Sequence, residues 1–206
     1  MERAQSTWVL ATHNAGKVRE LVELFDGLPV VLRVADELGL PEPEETGDTF
    51  EANAELKAVA ACAATGLPAL ADDSGVEVEA LGGRPGIHTG RWAGPGRDFD
   101  IARRRVESEL RNLGPDTSWR ANYVCVLCVA WPDGRSQLFR GDVGGVLVWP
   151  IRGELGAGFE PMFLPDGYAL TYGERSAPQR ARVNARAQAL RKLREELFRT
   201  AFSADT

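Results

Sequence analysis

The chain is poor in several features that would settle its class at once. None of its apolar runs approaches the roughly 20 residues that a bilayer-spanning helix requires, so no membrane association is expected. The opening "MERAQSTWVLATHN" has no basic segment leading into an apolar one, and so does not read as a secretory leader. Three cysteines in 206 residues cannot form a disulfide framework, which fits a reducing compartment and an expected cytoplasmic location. Cys125 and Cys128 form a lone CxxC, but strand residues three apart point to opposite faces. The pair therefore reads as buried and structural. The two histidines, His13 and His88, are too few for a histidine metal site. Positive charge is also scarce: 24 Lys and Arg stand against 30 Asp and Glu, a net charge of −6. That argues against nucleic-acid binding, which needs a basic face. It leaves room for a small phosphorylated ligand held by a few local cations.

What is present alternates between strand and helix. Residues 7–12 read as a buried strand, followed by a helix with apolar Val18, Leu21, Val22 and Phe25, capped by Asn14 and closed by Gly27 and Pro29. A second strand, "VVLRV", leads to the acidic loop "PEPEETGD". Asp48 or Thr49 then caps a helix running to about Thr65. A short strand, "ALA", is expected to end at Asp72 and Asp73, and a second strand, "VEVEAL", follows. A charged helix is predicted over residues 99–112, and the run Arg103, Arg104, Arg105 on it reads as a solvated face. Two long strands at 119–131 and 136–149 form a hairpin around "PDGR". The stretch after residue 151 reads as irregular, and one last helix is predicted over about residues 180–202. Trp92, Trp119, Trp131 and Trp149 read as core or interface residues. The fold class is α/β with a mixed sheet.

Two features carry chemistry. Strand, "THNAGK" and helix place the positive helix end and Lys17 where an anion can dock, with Thr12 and Asn14 adding hydrogen bonds. The spacing of a P-loop, GxxxxGKS/T, is absent. Lys57 lies on the next helix, with Asn53 one turn earlier on the same face. Adjacent carboxylates at 72 and 73 repel unless a positive group lies between them. Mg²⁺ suits such a pair, because it binds through one or two carboxylates plus substrate phosphates. Glu44 or Glu45 could complete the shell, and one of the two aspartates could take a proton from water.

These residues carry a resemblance. "TxNxGKxxE", "EETGxTFxxNAxxKA", "GLPALADDSGxxVxALGGxPG" and "RWAG" are similar to the inosine triphosphate pyrophosphatase family, which hydrolyses non-standard purine nucleoside triphosphates. The likeness covers nearly the whole chain. It implies a single domain over 1–206 with an elongated mixed β-sheet flanked by helices, two lobes around a central cleft, and a homodimer. It implies that Thr12, Asn14, Lys17 and Lys57 bind the triphosphate, with Asn53 beside them. Glu45 and Asp72 would bind Mg²⁺. Asp73 would be the general base and stand close to the metal, Ser74 would touch substrate, and Arg91 would add positive charge. The implied reaction is attack of water on the α-phosphorus, giving a nucleoside monophosphate and pyrophosphate.

The base-binding end departs from the family's pattern. "GFGYDP" becomes Gly156, Ala157, Gly158, Phe159, Glu160, Pro161, so that Phe159 and Glu160 stand for the base-flanking aromatic and its aspartate. "SHR" becomes Asn184, Ala185, Arg186, and a lysine upstream becomes Arg180. Two other readings follow: the same reaction with a shifted or broadened base preference, or a nucleotide-binding protein with weak turnover.

Overall fold

The computed structural model describes residues 5–198. Strand β1 (Ser6–Leu10) is polar at its start and fully buried at Val9 and Leu10. It ends two residues earlier than its sequence suggests, leaving Thr12 in the turn that enters helix α1 (Ala15–Leu24). Asn14 caps this helix, its Oδ1 accepting from Gly16 N at 2.9 Å and Lys17 N at 3.3 Å. Strand β2 (Val30–Val34) pairs in parallel with β1, from Ser6 opposite Val30 to Leu10 opposite Val34. Thr49 rather than Asp48 caps helix α2 (Phe50–Thr65), which stops at Gly66 in the left-handed conformation (φ 67°).

Strand β3 corrects one expectation. It runs unbroken over Ala69–Val78, so the carboxylate pair sits inside a ten-residue strand and not at the end of a short one. Two lysines supplied by distant segments neutralise the pair, and the backbone need not break to solvate it. Strand β3 pairs in parallel with β1 at Val9–Ala69 and Leu10–Leu70. Its far end pairs antiparallel with the two-residue strand β4 (Pro85–Gly86). Helix α3 (Phe99–Asn112), capped by Asp98, buries Ala102, Val106 and Leu110. Of the three arginines on it, Arg104 and Arg105 are exposed as expected. Arg103 instead turns inward and donates to Gly158 O and Asp100.

Strands β5 (Arg120–Ala130) and β6 (Ser136–Leu147) form the expected hairpin, closed by Trp131 N donating to Arg135 O at 2.9 Å. Strand β7 (Phe163–Pro165) pairs antiparallel with β6 inside the region read as irregular. The final helix is two pieces, α4 (Ala177–Ala181) and α5 (Ala185–Leu197). The break has a local cause: Asn184 Oδ1 accepts from Ala187 N at 2.8 Å, an N-cap that starts a new helix. The expected extension over 199–202 lies outside the described residues. The strands hydrogen-bond in the order β2-β1-β3-β5-β6-β7, with β4 attached to β3, a mixed sheet within an α/β fold.

The chain divides into two compact units. The first holds the chain to Asp73, residues 126–140 and the chain from Ala189; the second holds 74–125 and 141–188. In the first, Trp8 lies edge-on to Phe25 and Trp131, and Leu21, Ala54, Ala58, Leu70 and Leu193 are fully buried. In the second, Val76, Val106, Leu110, Phe159, Phe163 and Tyr172 form one core. No helix of the described residues is long and apolar enough to cross a membrane. All three cysteines are buried and free, and burial, with Glu55 nearby, pushes the Cys128 thiol up to about 12.

Candidate functional site

The charged cluster of the first unit is built by four segments. The first turn of α1 supplies Lys17, the buried face of α2 supplies Lys57, β3 supplies Asp72 and Asp73, and the loop before α2 supplies Glu45. Lys57 Nζ donates to Glu45 Oε1 at 2.9 Å, Asp73 Oδ1 at 3.0 Å and the Asp72 carbonyl at 3.0 Å. Lys17 forms an ion pair with the Asp72 carboxylate and reaches the Asp72 carbonyl at 3.4 Å. The exposures of Asp72, Asp73 and Lys57 are only 1%, 6% and 7%. Charges so buried persist only when paired, and each ammonium here has at least two oxygens.

Three carboxylates face two ammoniums, so with all five ionised the cluster carries 2 − 3 = −1. Burial pushes the Asp73 carboxyl up from its ordinary value; Lys57 and Lys17 pull it back and Glu45 adds to the rise. Burial pulls the Lys57 ammonium down, but Asp73 and Glu45 outweigh it, and the group stays charged above the usual lysine value. Asp73 Oδ2 is the unsatisfied atom: it is buried and has no hydrogen-bond partner among the described residues. A carboxylate oxygen of raised basicity, already oriented by its twin, can take a proton or meet a cation. The donor set is all oxygen and one negative charge in excess, which is the chemistry a hard cation such as Mg²⁺ requires. Among the described residues, no group of three or more acidic, imidazole or thiol side chains is placed to hold a metal ion; the ammoniums of Lys17 and Lys57 stand against the three carboxylates instead. Glu44 is exposed, and Glu45 is half-buried against Lys57.

Other expected residues find different work. Asn14 spends its oxygen on the helix cap, so Gly16 N and Lys17 N are engaged and the docking of an anion on them is not supported; Lys17 offers its ammonium instead. Thr12 Oγ1 accepts from Asn14 N at 3.3 Å. Asn53 is buried, and its Oδ1 accepts from Gly47 N at 2.8 Å. His13 pairs with Asp36, a partner that no sequence pattern announced.

The second unit holds the remaining expected residues. Arg186 Nη2 donates to Ser74 Oγ at 3.3 Å. Glu160 Oε2 accepts from Ala157 N at 2.6 Å, while its Oε1 stands 3.5 Å from Arg180 Nε. Arg180 also donates to Arg175 O at 2.5 Å. Arg91 is exposed, 3.1 Å from His88 Nδ1. The ring of Phe159 is completely buried in the core, edge-on to Phe99. Sequence reasoning missed Tyr123 and Tyr172, whose phenols burial pushes up, with Glu160 adding to the shift. Both stay neutral beside the Glu160 charge, and Tyr172 donates to Val183 O at 3.1 Å.

Comparison with known proteins follows the same lines. Residues 8–196 match the Ham1 family. A dITP/XTP pyrophosphatase of Brucella melitensis biotype 1 is 52% identical over 181 residues, 84% of this chain and 80% of that protein. A dITP/XTP pyrophosphatase of Rhodospirillum centenum is 48% identical over 95% of this chain and 96% of its own length. Among solved structures, a HAM1 protein from Coxiella burnetii superposes with a TM-score of 0.88 at 31% identity, covering 95% of this chain and all of its own (100%).

Proposed function

The chain belongs to the Ham1 family, and from that premise we propose that it hydrolyses non-standard purine nucleoside triphosphates, such as dITP, ITP and XTP, to the monophosphate and pyrophosphate. The observation that carries the mechanism is the orphaned, buried Asp73 Oδ2 beside two lysines. In this reading Asp73 is the general base. It removes the proton of a water molecule as the water oxygen attacks the α-phosphorus, and the bond to the bridging oxygen of pyrophosphate breaks. Lys17 and Lys57 turn their ammoniums to the phosphate oxygens and balance the charge that develops there. Glu45, Asp72 and Asp73 would hold Mg²⁺, with Thr12 beside the phosphates. Mg²⁺, when bound, supplies a Lewis acid for the phosphoryl oxygens.

The second unit supplies recognition. On the family resemblance we assign recognition to Ser74, Arg91, Arg180, Asn184 and Arg186 of that unit, with Glu160 and the backbone beside Phe159. A broadened base preference is the second reading. It is favoured by the use of Asn184 Oδ1 as a helix cap, which removes an acceptor from that unit. A cytoplasmic homodimer completes the proposal, on the family resemblance.

The test is pyrophosphate release in Mg²⁺ from a panel of dITP, ITP, XTP, dATP and dGTP, run in ¹⁸O-water. Label in the monophosphate and a preference of about 100-fold or more for the first three are expected, a ratio that hydrogen-bonded discrimination can reach. A flat preference would favour the broadened reading. Binding of all five without pyrophosphate release would leave only a nucleotide-binding protein.

A further inference from the structure

We propose that Asn53 is a positioning residue for the cation-binding carboxylate of Glu45, acting through the backbone of Gly47; this rests on the reading above that Glu45 helps to hold Mg²⁺. Asn53 lies on the buried face of α2 at 1% exposure, one turn before Lys57. Its Oδ1 accepts from Gly47 N at 2.8 Å, only two residues after Glu45, and Lys57 Nζ meets Glu45 itself at 2.9 Å. One helix face therefore grips the acidic loop twice, by backbone through residue i and by carboxylate through residue i+4. Thr49 closes the intervening chain: its carbonyl accepts from Asn53 N at 3.1 Å and its Oγ1 from Ala52 N at 3.1 Å.

The loop lies flat against this first turn. A Cβ on Gly47 would come within 2.7 Å of Ala52 Cβ and 2.8 Å of Asn53 Oδ1, so only glycine permits the approach. Asn53 also makes this bond at a cost. Its Nδ2 is buried and has no partner among the described residues, a penalty that an apolar residue filling the same space would avoid. An asparagine kept at that cost serves its carbonyl oxygen. Without the pin, Glu45 would sit on a mobile acidic loop held only by its own ion pair, and the cation would have to order that loop on binding.

The test uses the full chain with Mn²⁺ as probe, its free concentration read by electron paramagnetic resonance. Asn53→Leu, nearest in shape without the acceptor, and Gly47→Ala, which pushes the loop away from the other side, should each weaken Mn²⁺ binding about 10- to 100-fold, the usual effect of losing a residue that orients a metal ligand. Asn53→Asp keeps an acceptor for Gly47 N and should recover most of the affinity. The Mg²⁺ concentration for half-maximal turnover should rise in step, while KM for XTP at saturating Mg²⁺ stays within about threefold. Either variant that melts as a folded protein and binds Mn²⁺ within about twofold of wild type overturns the proposal, as does Asn53→Asp binding no better than Asn53→Leu. If the wild type binds Mn²⁺ but does not cleave XTP, the functional reading fails while the Mn²⁺ affinities still decide the role of Asn53. If the wild type binds no Mn²⁺, the positioning role fails with it.

Discussion

The lysine–carboxylate cluster of the first unit and the arginine-rich cluster of the second handle charge in opposite ways. In the first, Lys57, Asp72 and Asp73 are almost removed from water, Lys17 and Glu45 are half-buried, and each lysine is held by two or three oxygens. In the second, Arg91 is exposed, Arg180 and Glu160 are half-buried, and several contacts go to backbone carbonyls and N–H groups. A buried cluster of mutual partners tolerates no replacement, since each loss strands a charge. A half-solvated cluster bonded to backbone tolerates change, because water can stand in. Of the departures from the family's pattern, Ala157, Glu160, Arg180, Asn184 and Ala185 fall in the second unit and Ala52 in the first.

That contrast can be broken most severely at Lys57. Lys57→Met keeps much of the length and removes the charge, leaving Glu45 and Asp73 without their shared partner. A loss of about 3–5 kcal/mol is expected, seen in thermal melts as a fall of roughly 6–20 °C for a chain of this size, together with loss of turnover. A melting temperature within a degree or two of wild type would mean that the cluster is not held by this ammonium.

In the second unit the same kind of change should be milder. Glu160→Ala frees Ala157 N and leaves Arg180 its bond to Arg175 O. KM for XTP is expected to rise about tenfold, the low end for a charged hydrogen bond, with kcat within about threefold. A fall confined to kcat would move Glu160 out of recognition.

The smallest effect sharpens the comparison from outside both clusters. The Cys128 thiol is raised from near 9.0 to about 12, so the folded chain keeps a proton that the unfolded chain loses. The unfolded state therefore binds fewer protons between these values, and stability falls as pH rises through that window, being unaffected below it. Cys128→Ala should make the alkaline limb of a denaturant titration shallower by about one proton and leave turnover at neutral pH unchanged. Loss of activity on thiol alkylation of the folded protein at neutral pH would contradict the structural reading of this buried cysteine.

What the sequence disclosed was governed by range. The caps at Asn14 and Thr49 were legible because a cap and its N–H partners lie within three residues. Helix α3 and the β5–β6 hairpin were legible from their own periodicity. The continuity of β3 was not, because the lysines that neutralise Asp72 and Asp73 come from 55 and 16 residues away. The Asn184 cap was missed because apolar spacing runs through it, and a single asparagine outweighed that pattern by bonding Ala187 N. For the site, the resemblance named the residues, but only coordinates could show that Asn53 holds Gly47 and that the Phe159 ring is buried in the core.

Turnover by Asp73→Asn and wild type, measured on XTP beside the affinity of each for a non-hydrolysable triphosphate analogue, tests the account most directly. Asparagine keeps the shape and takes away the proton acceptor, so kcat should fall about 10²- to 10⁴-fold while analogue affinity holds within about threefold. A fall of less than tenfold, or one explained wholly by lost affinity, would contradict the claim that the buried Asp73 oxygen is the base.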